Sequence, residues 1–169
     1  IECGANVPFM RSKKNSGDKI PIKDVLIEVL ENYKNEGLIF QYVCCIFPTA
    51  PLLNIENIKL GYEKIKKYEY VFAVTPFSFP IQRSFIIDNK SALFKYPEYM
   101  NTRTQDLEVH YQDSGQFYWI NTQRLLEKKE MYSKNNFVII LNELEVQDID
   151  NESDWIIAQM KYKLLNINI

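Results

Sequence analysis

A chain of 169 residues, 46% hydrophobic and 25% charged, has the composition of a soluble globular protein. Its 20 Lys and Arg against 22 Asp and Glu leave a net charge of −2 with the signs interspersed, which excludes a polycationic surface for nucleic acid or anionic lipid. Apolar runs such as Val138 to Leu141 are far too short for a membrane span, and a chain of this length buries roughly 70% of its unfolded surface in a single core without disulfides or a structural metal.

One domain covering residues 1–169 is therefore expected, in the cytoplasm, with the adjacent Cys44 and Cys45 as reduced core residues. The chain opens on Ile1-Glu2-Cys3-Gly4, which reads as the last turn of a helix closed by glycine. The expectation is thus of an N-terminally truncated domain. Ile22, Val25, Leu26, Val29, Leu30 and Tyr33 then recur with helical period up to Gly37, predicting a helix over 22–36. Leu38 to Phe47 is a nearly continuous apolar run ended by Pro48, as expected of a central parallel strand buried on both faces. Asn54 is a candidate cap for a helix over 55–67, and Tyr70 to Thr75 is the next short strand. This alternation predicts an α/β fold built on parallel βαβ units.

The second half reads differently. Phe85 to Asp88 and Ala92 to Tyr96 flank Asn89-Lys90-Ser91 as a hairpin. Strands are expected over 116–121 and 137–146, separated by a short helix over 122–129, with a final helix over 154–165. The polar stretches 101–108 and 112–116 read as loops between strands, and His110, the single histidine, as a loop residue. The whole is a mixed, mostly parallel sheet with an inserted hairpin arm.

Glu143, Glu145, Asp148, Asp150, Glu152 and Asp154 form an acidic run with no Lys or Arg between residues 143 and 154. Asp148 and Asp150 flank Ile149, and in extended backbone both carboxylates share one face. Two hard oxygen ligands can hold Mg²⁺ that bridges to phosphates; the competing reading is a cap for the last helix by Asp150 or Asn151, with Glu152 and Asp154 favoured by its dipole. Pro48 and Pro51 fix a turn at a strand's carboxyl end, where ligands of open α/β sheets bind; Thr49 either offers a hydroxyl to substrate there or belongs to a turn that only redirects the chain, the commoner case. Arg103 is a candidate fork for carboxylate or phosphate, the competing reading being a loop arginine that is solvated or paired with a neighbouring acid. The loop that follows Arg11, with Lys13, Lys14 and Asp18, is either a plain surface loop or a phosphate contact. No glycine lies in a GxxxxGK[ST] or GxGxxG pattern, and no GxSxG is present.

Arg11 with Asp18, the segment Phe47-Pro48-Thr49-Ala50-Pro51, and Asp148-Ile149-Asp150 before a terminal helix together resemble the nonulosonate cytidylyltransferases. Residues 76–83, 100–108, 113–119 and 143–150 resemble, more narrowly, the pseudaminic acid branch of that family. The resemblance runs from about Gly4 to Tyr162. It implies a Rossmann-like nucleotide-sugar transferase fold, Mg²⁺ dependence, and transfer of CMP from CTP to a nine-carbon 2-keto sugar acid with release of pyrophosphate. In bacteria such products feed flagellin and surface glycan synthesis. Carried over by position, Arg11 and Asp18 fall on the nucleotide side; Thr49, Gln82, Arg83, Arg103 and Gln116 on the sugar or phosphate side; and Asp148 and Asp150 on the metal. Arg103 and Asp150 are the expected catalytic residues, and a homodimer is the expected assembly.

Two departures qualify the resemblance. Sialic acid members usually carry Gln where Phe47 stands and Arg-Pro-Asn-Gly where Gln112 to Gly115 stand, which disfavours sialic acid here. The family also begins with a strand and a glycine-rich loop for the triphosphate, and that segment does not precede Ile1. Poor CTP binding by the chain alone and an uncovered strand edge are the corresponding expectations. The alternatives are a cytidylyltransferase for legionaminic or sialic acid, or a non-catalytic fragment that keeps the fold.

Overall fold

The structure is a computed structural model that describes residues 2–167. The expected helical turn begins at Ile1, which lies outside the described residues, as do Asn168 and Ile169. Gly4 itself has a left-handed φ of 86° and follows a turn. The order of the main elements is α1 (Ile22–Asn35), β1 (Tyr42–Ile46), α2 (Ile55–Ile65), β2 (Tyr70–Pro76), β3 (Phe85–Asp88), β4 (Ser91–Phe94), β5 (Tyr111–Asn121), α3 (Thr122–Lys128), β6 (Asn136–Ile140) and α4 (Glu152–Leu165).

The strands form a four-stranded sheet in the order β1-β5-β2-β6 and a separate hairpin, β3-β4. β5 is antiparallel to β1, with Tyr42 opposite Asn121 and Ile46 opposite Phe117. It is also antiparallel to β2: the Asn121 amide donates to Glu69 O and the Phe77 amide to His110 O. β6 runs parallel to β2, since the Glu69 amide reaches Asn135 O and the Leu141 amide reaches Val74 O further along both strands. The α/β fold with a mixed sheet and hairpin arm is as expected from the sequence, but the sheet is not mostly parallel: among the described residues only β2 and β6 run parallel, because β5 enters antiparallel between β1 and β2.

Three local expectations are corrected. β1 is an edge strand paired antiparallel, not a central parallel one, and its residues are half-buried or exposed. Its apolar run fits burial on both faces, but only the strand order decides what flanks it. The strand expected over 137–146 stops at Ile140, because Asn142 caps a 3-10 turn over Glu143–Glu145 and the Glu145 carboxylate accepts back from the Asn142 amide. Residues 112–116 are not a loop but the first half of β5, in which Ser114 and Gln116 are buried despite their polarity.

The chain divides into two compact units. In the first (residues 1–46, 58–72 and 117–137) Leu26 and Leu30 of α1, Ile65 of α2 and Phe117, Ile120 and Leu125 are buried, each Leu, Ile or Phe side chain contributing about 1.5–3 kcal/mol. α1 ends where its periodicity predicts. The Gly37 amide donates to Lys34 O and the Leu38 amide to Tyr33 O, a Schellman closure that requires the left-handed φ of 83° at Gly37. Gly61 lets α2 approach β5: a Cβ there would lie 2.5 Å from Cδ1 of Trp119, whose indole N–H donates to Ile58 O. Glu69 pairs with Arg124 at 2.8 Å. Burial, and then the neighbouring Cys45, push the Cys44 thiol up to about 12, so it stays protonated at neutral pH.

In the second unit (residues 47–57, 73–116 and 138–169) Leu52, Ala73, Val74, Leu107, Ile139 and Leu141 are buried. The expected Asn54 cap is present, its Oδ1 accepting from the Glu56 amide at 2.9 Å. Among the described residues no helix is long and apolar enough to cross a membrane.

Candidate active site

The acidic run closes the second unit, and its hydrogen bonds separate the two readings of it. Asn151 caps α4 by accepting from the Ser153 and Asp154 amides, and the Asp154 carboxylate accepts back from the Asn151 and Asp150 amides. The cap therefore accounts for Asn151 and Asp154. It leaves Asp148 and Asp150 unused: Asp148 Oδ1 accepts only from the next amide, at 3.1 Å, and the Asp150 carboxylate has no hydrogen-bond or ion-pair partner among the described residues. Both are exposed while Ile149 between them is half-buried.

Asp148 also lies against β5. A Cβ placed at Gly115 would be in ordinary contact with Asp148 Oδ2 at 3.7 Å, and the left-handed φ of 63° is what favours glycine there. The Gly115 amide donates to Asp113 Oδ1 at 2.9 Å. Two unspent carboxylates of this kind fit a hard divalent cation that keeps its waters and takes further ligands from phosphate. No cluster of three or more His, Cys, Asp or Glu suited to a metal occurs among the described residues.

Gln82 and Gln116 are both buried. Gln82 Nε2 donates to Glu108 O at 3.0 Å and lies 3.0 Å from His110 Nδ1, while Gln116 Nε2 donates to Glu145 O. Among the described residues the carbonyl oxygen of each amide has no partner, and neither have the buried hydroxyls of Thr75 and Ser114. An orphaned buried polar atom costs about 1–3 kcal/mol, and four of them lie in this unit. The sequence does not single out Thr75, and Ser114 stands out in it only as part of the polar stretch 112–116. The signal available for Ser114 is the alternation of Ser114, Gln116, Tyr118 and Ile120, all buried.

Arg83 is half-buried, and its guanidinium donates to the carbonyls of Tyr99, Met100 and Thr102, the first two at 3.3 and 3.0 Å. Arg103 follows immediately. It is exposed and forms a two-point pair with Asp106, Nε to Oδ2 at 2.7 Å and Nη2 to Oδ1 at 3.1 Å. Thr49 occupies a turn just after β1, closed by the Ala50 amide on Phe47 O, and is half-buried. Thr49, Gln82, Arg83, Arg103, Gln116, Asp148 and Asp150 all belong to this unit. Arg11 and Asp18 belong to the other, exposed on either side of a short 3-10 turn over Lys13–Asn15.

No protein-family model matches the chain. A pseudaminic acid cytidylyltransferase of Campylobacter jejuni serotype O:2 is 33% identical over 167 residues, covering 97% of this chain and 72% of the relative. The chain belongs to the pseudaminic acid cytidylyltransferase family. A Helicobacter pylori protein named pseudaminic acid cytidylyltransferase and UDP-2,4-diacetamido-2,4,6-trideoxy-beta-L-altropyranose hydrolase is 32% identical over 161 residues, which is 92% of this chain and 30% of that protein. The CMP-N,N'-diacetyllegionaminic acid synthase of Legionella pneumophila is 28% identical over 176 residues, 99% of this chain and 72% of the relative. The family resemblance read from the four sequence segments is thus confirmed across nearly the whole chain.

Proposed function

We propose that the protein transfers CMP from CTP to pseudaminic acid, with Mg²⁺ held by Asp148 and Asp150, in the bacterial cytoplasm where CTP is made. The observation that carries this reading is the family match over 97% of the chain. In the reaction the anomeric hydroxyl at C2 of the sugar acid attacks the α-phosphorus of CTP. The C2 oxygen–phosphorus bond forms, the bond to the β-phosphate bridging oxygen breaks, pyrophosphate leaves, and the hydroxyl proton passes to solvent. Phosphoryl-group transfer of this type depends on in-line positioning and on neutralising charge. Bound Mg²⁺ would supply charge neutralisation at the phosphates. Asp148 and Asp150 hold the cation, Arg103 meets the substrate's anionic groups, and Thr49, Gln82 and Gln116 orient the sugar; Arg11 and Asp18 contact the nucleotide.

The test is pyrophosphate release from CTP and Mg²⁺ with pseudaminic, legionaminic or sialic acid as acceptor. Robust release is expected with pseudaminic acid alone. Equal or faster release with legionaminic acid would reassign the sugar, and no release with any of them would support a non-catalytic role.

A homodimer formed through β3-β4 is the assembly we favour. Every residue of this hairpin but one is exposed, including Ile86, Ile87 and Leu93, and an apolar two-stranded hairpin is marginal unless something covers it. A second copy supplies an identical apolar surface, as an isologous contact requires. Light scattering should give the mass of a dimer for the native protein and a monomer for Ile86→Glu/Leu93→Glu; an unchanged mass in the variant would exclude the hairpin as the contact.

A further inference from the structure

We infer that Glu28, on α1, is a positioning residue that sets the geometry of the loop bearing Arg11 and Asp18, and through it the affinity for CTP. The inference rests on the proposed nucleotide role of that loop. Between Arg11 and Lys19 every residue is exposed except Asn15, so no apolar anchor fixes the segment. Among the described residues the Glu28 carboxylate supplies most of the ties to α1, the other being Asn15 Nδ2 to Asp24 O. Glu28 Oε1 accepts from the Ser12 amide at 2.6 Å, and Oε2 accepts from the Ser12 hydroxyl at 2.7 Å and from the buried Asn15 side-chain amide.

The remaining contacts of the loop build on that clasp. The Asn15 amide closes the 3-10 turn on Ser12 O at 3.1 Å, the Ser16 hydroxyl donates to the same carbonyl at 2.7 Å, and Asn15 Nδ2 also reaches Asp24 O. Arg11 is the residue immediately before the clasped Ser12, and Asp18 follows two residues after Ser16. The direction in which both leave the loop is therefore set by Glu28. The Ser12 amide and hydroxyl, the Asn15 amide and the Arg11 charge all favour the ionised carboxylate and hold it below the usual carboxylate range against a smaller opposing effect of burial. Three converging donors are more than one amide oxygen of Gln can satisfy, and Asp is one methylene short of them.

The experiment measures KM for CTP and for pseudaminic acid, kcat, and Tm, for the native protein and for Glu28→Gln, Glu28→Asp, Ser12→Ala and Arg11→Ala, with amide hydrogen exchange at Ser12. Glu28→Gln should raise KM for CTP by about tenfold, since hydrogen bonds to a charged acceptor are lost. KM for the sugar and Tm should stay near native values, the Ser12 amide should exchange faster, and Ser12→Ala should give a smaller effect in the same direction. A Glu28→Gln protein with native KM for CTP, in a series where Arg11→Ala raises it, would overturn the inference. So would a rise in both KM values together with a large fall in Tm, which marks a general structural role. If Arg11→Ala leaves KM for CTP unchanged, the loop does not serve the nucleotide, and the reading on which the inference rests has failed instead.

Discussion

Asp150→Asn should lower kcat with CTP and pseudaminic acid by at least about a hundredfold while leaving Tm close to native, the scale expected when one preorganised charge is removed from a transition state. The argument rests on how the end of the chain distributes its hydrogen bonds. Asn151 and Asp154 are committed to each other and to the first turn of α4, and the Asp150 carboxylate is committed to nothing among the described residues. A side chain with no structural task can be neutralised without unfolding the protein, so its loss reads directly on chemistry. Asp148→Asn should behave alike. Asp154→Ala is the contrasting variant: it removes the reciprocal half of the capping box, costs about 1 kcal/mol of stability, and should leave kcat near native. Near-normal turnover of Asp150→Asn in saturating Mg²⁺ would remove the metal assignment, and a large kcat loss in Asp154→Ala would show that the whole acidic run acts as one cluster.

This discrimination was half legible in the sequence. The unpaired charge and the i, i+2 spacing single out two carboxylates, but which residues of the run cap α4 is read only from the amides they accept from. The same boundary separates the rest of the fold. α1 was legible from its stripe and from Gly37, because helix period and Schellman closure are local events. The position of β1 was not, since an apolar run carries no information on which strands flank it, and β5 inserts between β1 and β2 from seventy residues or so further along the chain. The first half of β5 was hidden for a different reason. Its buried side chains are Ser114 and Gln116, and a pattern search for apolar alternation passes over buried polar residues.

Arg83 shows the same limit at a single residue, and it yields the second large expected effect. By resemblance it belongs to the sugar or phosphate side; in the structure its guanidinium is spread over three carbonyls of the segment that delivers Arg103. One planar fork can serve three acceptors at fixed angles, and an ammonium cannot reproduce that arrangement. Arg83→Lys should therefore lower kcat/KM for pseudaminic acid by about ten- to a hundredfold, through misplacement of Arg103 and not through loss of a direct contact. Arg103→Lys should cost a similar factor, because the Lys can neither pair with Asp106 at two points nor present a fork to a carboxylate or phosphate. If the first residue acts through the second, the double variant will be little worse than either single one, whereas independent contacts multiply their losses. Multiplicative losses would return Arg83 to the substrate, and a native kcat/KM for Arg103→Lys would reduce Arg103 to a surface charge held by Asp106.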